Sequence, residues 1–167
     1  MKRKLSVLMM ATVLMIFTAA CNAGDKDEST PTPTPATDNI PEWSLAIARG
    51  DGETAFTSVD AALLSVHTIE VTTTGKDGVE TTSTYTGARL SDILGKIGVT
   101  DFTSLTVASS DGFEIEFDRA LALADDTLLA WERDGKELDT DPPLRMAPAQ
   151  GTANQFVKST AKIIINK

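Results

Sequence analysis

The chain has one cysteine, Cys21, and that single count constrains the folded region more than any other feature. No disulfide can form within the chain. Everything after position 21 must fold without a staple, a Cys-based metal site or a cysteine nucleophile. The cysteine itself follows a tripartite leader. Met1-Lys2-Arg3-Lys4 is positive, residues 5–17 are apolar but for Ser6 and Thr12, and Thr18-Ala19-Ala20 brings small residues up to Cys21. This order is that of a secretory signal. The apolar run is shorter than the ~20 residues that cross a bilayer as a helix, so a transmembrane segment is the poorer reading.

The leader resembles a lipobox, in which the cysteine is acylated and becomes the first mature residue. Thr18 stands where leucine is usual. Residues 1–20 are read as the signal peptide and Cys21 as the lipidation site, which places the protein in the cell envelope, outside the cytoplasm, held to a membrane by lipid. Residues 21–39 form a tether: Thr30-Pro31-Thr32-Pro33-Thr34-Pro35 has no apolar periodicity and favours an extended spacer.

Removing the leader takes away three basic residues and leaves 12 against 24 acidic ones, a mature net charge of −12. Nucleic acid needs clustered Lys and Arg on its partner, so no nucleic-acid partner is expected. Anionic headgroups are no better suited. The charge keeps an exposed domain soluble.

Residues 40–167 are long enough for one domain with a core. Trp43, Leu45 and Ile47 alternate with small residues as a strand does. Thr57 is placed to cap a helix running through Leu64. His67, Ile69 and Val71 share a strand face, and residues 75–78 turn back into a strand over 79–86. Leu90, Ile93, Leu94 and Ile97 have helical spacing, ended by Gly98. Leu105 and Val107 lead through Asp111-Gly112 into Phe113, Ile115 and Phe117, a hairpin with Asp-Gly at its turn. Asp134-Gly135 turns between strands at 128–132 and 136–138. Strands are also expected at 143–146 and 163–165. Many short strands with two or three short helices make an α+β domain of mixed sheets.

Residues that announce chemistry are scarce. His67, the only histidine, points with Ile69 and Val71 and reads as a packed or edge residue; no metal ligands converge on it. Glu114, Glu116 and Asp118 alternate with apolar residues and read as the wet face of a strand. Asp139-Thr140-Asp141 lacks the other positions of a calcium loop. No nucleophile elbow, phosphate loop or dinucleotide fingerprint is present. Trp131 and Tyr85 suit core or edge packing, with a cleft lining as the alternative.

Taken in order, the segments resemble a family. The Trp-led strand and Thr-capped helix are followed by Tyr85-Thr86-Gly87-Ala88-Arg89-Leu90-x-x-Ile93-Leu94. Then come Ser109-Ser110-Asp111-Gly112-Phe113, Leu128-Leu129-Ala130 and Asp134-Gly135-Lys136-x-Leu138. Pro143-Leu144-Arg145-Met146-x-Pro148, Gly151, Val157-Lys158 and Ile163-x-Ile165 close the chain. This is similar to the oxidoreductase molybdopterin-binding domain, the central fold of sulfite oxidase and related enzymes. The resemblance implies a sulfite oxidase molybdopterin-domain-like fold over residues 40–167, and molybdopterin as the cofactor of the family's enzymes. Two departures bear on function. The enzymes ligate molybdenum through a cysteine thiolate, which is absent here. Their closing loop carries several basic residues for the pterin phosphate, of which this chain keeps Lys158, with Arg145 upstream.

Three functions follow from this. The first is a non-catalytic binding or accessory lipoprotein, with Arg145 and Lys158 lining an anion or pterin groove; no cofactor and no catalytic residue is assigned. Its ordinary counterpart is an Arg145 paired with a carboxylate and a solvated Lys158. The second is a molybdopterin-dependent oxidoreductase or a subunit serving a redox partner protein. The third is a structural or adhesion module on a stalk.

Overall fold

Alternation of apolar and polar residues sets the strands, and glycines at positive φ set the turns between them. A computed structural model describes residues 40–74 and 78–167. The signal segment, Cys21, the tether and the turn residues 75–77 lie outside the described residues. In chain order the elements are β1 (Ser44–Arg49), β2 (Gly52–Thr57), α1 (Ser58–Ala61), β3 (Val66–Thr74), β4 (Glu80–Arg89), α2 (Leu90–Lys96), β5 (Ser104–Ser109), β6 (Glu114–Asp118), α3 (Arg119–Ala122), β7 (Thr127–Arg133), β8 (Lys136–Glu137), β9 (Arg145–Pro148), β10 (Val157–Lys158) and β11 (Thr160–Asn166). A 3₁₀ turn covers Ala153–Gln155.

Two sheets result. The first has the order β2-β1-β11-β5-β6, the second β10-β9-β7-β4-β3, with β8 beside β7. Within the first, β1 and β11 run parallel, which joins the two ends of the domain; the other pairs are antiparallel. The main core draws on both sheets: Leu45, Leu105 and Ile163 from the first, Leu129, Trp131 and Met146 from the second, and Leu90, Ile93 and Leu94 from α2. Burying each such side chain stabilises by about 1.5–3 kcal/mol.

The expected helix at Leu90 is present, and its end shows why glycine follows. Gly98 sits at φ 70°; its N–H donates to the Gly95 carbonyl at 3.1 Å and the Val99 N–H to the Leu94 carbonyl at 2.8 Å. That pair of bonds is a Schellman cap, which needs a left-handed residue. Gly87 has a different reason. A Cβ there would lie 2.1 Å from the Leu129 carbonyl oxygen, because β4 and β7 approach closely beside a register shift. At the β7–β8 turn, Asp134 and Gly135 both have positive φ, 52° and 71°, as the tight turn requires.

Three expectations need correction. The Thr57-capped helix stops at Ala61, and residues up to Leu64 continue as turns closed by Leu63 N–H to Asp60 and Leu64 N–H to Ala61. Leu63 is exposed there, while Ala61 is buried in the core and Leu64 packs against it. The strand placed at 143–146 begins instead at Arg145, after two prolines that cannot donate to a ladder. Asp118 is not only a wet strand residue: its carboxylate accepts from the Leu121 N–H at 2.7 Å and caps α3, a helix the sequence reading missed.

Candidate functional site

The second sheet has an outer face that turns away from the main core, and strand register decides which side chains share it. Ile69 pairs with Tyr85, Val71 with Ser83 and Thr73 with Thr81. Tyr85 pairs with Arg133, Ala130 with Arg145, and Arg145 with Lys158. A small apolar cluster of Val71, Tyr85, Ala130 and Ala147, with Phe156 against it, covers part of this face. Beside it an open cleft of about 290 Å³ is lined by Thr73, Tyr85, Arg133, Arg145, Ala153, Phe156 and Lys158.

Local structure holds each of these residues. The buried Thr160 hydroxyl accepts from the Met146 N–H at 3.0 Å and donates to the Val157 carbonyl at 2.9 Å. It thereby ties the immediate neighbours of Arg145 and Lys158 together. After β9 the chain turns at Gly151, where a Cβ would meet Pro148 Cγ at 2.5 Å. Thr152 and Gln155 then form a reciprocal cap, with the Thr152 N–H donating to Gln155 Oε1 at 2.8 Å. This returns Phe156 to the Tyr85 ring, centroids 6.1 Å apart.

Arg145 is the unusual residue. It is 8% exposed, and its Nη1 donates to the Tyr85 hydroxyl oxygen at 2.9 Å. Its guanidinium carbon lies 5.7 Å from the centroid of the same ring. Among the described residues no carboxylate pairs with Arg145 or Lys158; the ion pairs are His67–Asp92, Arg89–Asp125, Arg133–Asp134 and Lys162–Glu53. Holding a guanidinium out of water without a counter-charge is costly. The ordinary pairing of Arg145 with a carboxylate is therefore not what the fold provides. Lys158 is exposed at the cleft rim.

Arg133 completes the set and was not foreseen. Its Nε and Nη2 donate to Ser83 Oγ at 3.2 and 2.7 Å, and its guanidinium carbon is 5.9 Å from the Tyr85 centroid. Asp134 stands 3.4 Å from its Nε. Arg133 abuts the Asp134-Gly135 turn in the sequence, and the non-local pairing of β4 with β7 brings it to Tyr85. Tyr85 lines the cleft, whereas Trp131 packs in the core against Trp43, centroids 6.1 Å apart.

The other candidates do not converge. His67 is half-buried on the edge strand β3, 3.7 Å from Asp92. Among the described residues no three His, Cys, Asp or Glu side chains group as metal ligands. Hydrogen bonds from Ser109 Oγ and the Phe113 N–H lower the Asp111 pKa and tie its carboxylate to its own turn. A larger depression, about 540 Å³ near Arg49, Asn166 and Lys167, has no aromatic lining and no buried cation. No helix among the described residues is long and apolar enough to cross a membrane.

Residues 31–167 match the sequence profile described as oxidoreductase molybdopterin binding domain. A search of the curated proteins finds no match. Among solved structures, the sulfane dehydrogenase SoxCD from Paracoccus pantotrophus superposes with a TM-score of 0.62 at 20% identity, over 74% of this chain and 38% of that one. The chain thus spans well under half of that protein, and the likeness at this identity is one of fold.

Proposed function

Because the chain belongs to the oxidoreductase molybdopterin-binding domain family, we propose that it reuses this fold as a membrane-anchored, extracytoplasmic binding or accessory protein rather than as a redox enzyme. The observation that carries the reading is Arg145: a buried cation at a cleft, bonded to a phenol and to no carboxylate among the described residues. An anion in the cleft would supply the missing counter-charge through bidentate contact.

The residues present do not fit the family's metal centre. A molybdenum site of the sulfite oxidase kind takes a protein thiolate, and residues 40–167 contain no cysteine. The cleft offers guanidinium, ammonium, phenol and hydroxyl groups, which are anion partners and not soft metal ligands. Fold alone does not carry the chemistry. The charged leader, the apolar run and Cys21 support the anchoring half of the proposal.

Calorimetric titration with inorganic phosphate tests the site. Arg145→Ala is expected to weaken binding more than Lys158→Ala, since a guanidinium makes a directional two-point contact and lysine a mobile one. Equal losses, or none, would remove Arg145 from the site.

A further inference from the structure

We propose that the end of the first sheet at which the tether joins the domain rests on a lipid bilayer, with Val59 and Leu63 of the α1 turn as its apolar contact. The inference rests on the anchoring reading above and adds the face that the anchored domain turns to the membrane.

Val59 and Leu63 are 74% and 73% exposed, more than any other large hydrophobic side chain among the described residues. They stand four positions apart in a helical turn and so share one side of it, while Ser58 and Ala61 face the interior. Asp60, between them, turns its carboxylate back to the Thr57 N–H and hydroxyl. An exposed apolar patch of this kind marks a contact surface.

The place of the turn says which contact. The Ser58 N–H donates to the Trp43 carbonyl at 3.1 Å, and Ser44 pairs with Thr57. Ile40, just before Trp43, packs against the core. So α1 starts where the chain from Cys21 enters the domain, at the end of the β1–β2 hairpin opposite its turn. Register carries that end across the sheet. β1 runs parallel to β11, Thr160 of β11 pairs with Ser109, and the Ser109 N–H donates to the Phe113 carbonyl at 2.9 Å. Phe113, itself exposed, therefore stands at the same end. Leu123 stands at the opposite end, in the turn after Asp118, whose partner Ser104 pairs with Asn166 at the close of β11.

A second copy of the chain is the poorer occupant. Two aliphatic side chains cover a small part of the roughly 800 Å² that each partner of a stable dimer buries. A bilayer asks for no matching shape, because apolar burial is non-directional. Residues 21–39 reach at most ~65 Å when fully extended, so the tether permits the domain to stand clear or to lie down. Moving Val59 and Leu63 into the acyl boundary favours lying down, each side chain by roughly tenfold or more. A contact too weak to hold a free domain is populated once a tether makes it intramolecular.

The test uses the full-length protein as its host processes it, reconstituted into phosphatidylcholine vesicles with and without bromine on the acyl chains. Bromine quenches tryptophan on contact. The two native tryptophans, Trp43 and Trp131, are buried and give a fixed background. Leu63→Trp should add emission that is blue-shifted on vesicles and lost to brominated lipid. Leu123→Trp should add emission at the wavelength of exposed tryptophan, which brominated lipid leaves intact. Adding Val59→Ser to Leu63→Trp should weaken the vesicle contact about tenfold.

Flotation reads the anchor separately. Protein that floats with the vesicles while Leu63→Trp is quenched no more than Leu123→Trp overturns the docking face and leaves the anchor standing. Shielding of Leu63→Trp that rises with the protein-to-lipid ratio, without loss to brominated lipid, assigns the pair to a second copy and also overturns it. Protein that does not float overturns the anchor and the docking face together.

Discussion

Arg145 and Tyr85, sixty positions apart, meet through one hydrogen bond of 2.9 Å from the guanidinium to the phenol oxygen. Neither residue has a local reason to find the other. Arg145 reaches Tyr85 because β7 lies between their strands, pairing Ala130 with Arg145 on one side and Arg133 with Tyr85 on the other. The bond is the structural centre of the cleft.

Removing that phenol leaves a buried guanidinium short of an acceptor. Tyr85→Phe keeps the ring and its contact with Phe156, so the loss isolates the hydroxyl. Urea unfolding should show a cost of about 1–3 kcal/mol. Saturating phosphate should recover part of it, because ligand bound to the native state alone adds stability. A variant as stable as the wild type would mean that water satisfies Arg145 fully.

The cap at α1 makes a pH-dependent prediction. Thr57 N–H and Oγ1 donate to Asp60 Oδ2 at 3.0 and 2.9 Å, and these bonds hold the Asp60 pKa below its ordinary 3.8. A depressed carboxylate stabilises the fold above its unfolded value and loses that contribution as pH falls through the folded value. Thr57→Ala should therefore cost about 1 kcal/mol at neutral pH, and less once Asp60 is protonated below 3.8. Thermal melts of both proteins at pH 7 and in acid check this; a penalty that grows in acid contradicts it.

Gly87→Ala sets a methyl group against backbone, with Leu129 O at 2.1 Å and Ala130 Cα at 2.6 Å. Neither atom belongs to a flexible side chain. The β4–β7 pair must open or shift register, so a loss of about 3 kcal/mol or more is expected, read as a lower denaturant midpoint. Wild-type stability would show that the strands separate freely.

Anchoring is tested at Cys21. Cells fed an alkyne fatty acid should label the wild-type protein and not Cys21→Ala. Equal labelling would move the lipid elsewhere.

These positions also show where sequence reading succeeds. The Schellman glycine at Gly98, the Asp134-Gly135 turn and the inward alternation of Leu45 and Ile47 are local, so spacing reveals them. Order of motifs was enough to reach the family. Arg145 and Lys158 were legible only through that resemblance, because adjacent antiparallel strands place them together across a loop. Arg133 and Phe156 were not legible. Arg133 sits beside a turn and Phe156 in a loop, and both acquire meaning only where non-local contacts bring them to Tyr85. The α3 helix was hidden for a different reason: Asp118 serves β6 and the cap at once.

The central claim is that this fold works here without the metal centre of its relatives. The direct measurement is metal analysis of the full chain, produced in a host that makes molybdopterin and passed through gel filtration. The account predicts molybdenum far below one atom per chain, and no sulfite oxidation, in protein that still binds phosphate. Molybdenum retained near one atom per chain would contradict it and make the protein an oxidoreductase whose metal is held without a cysteine from the folded domain.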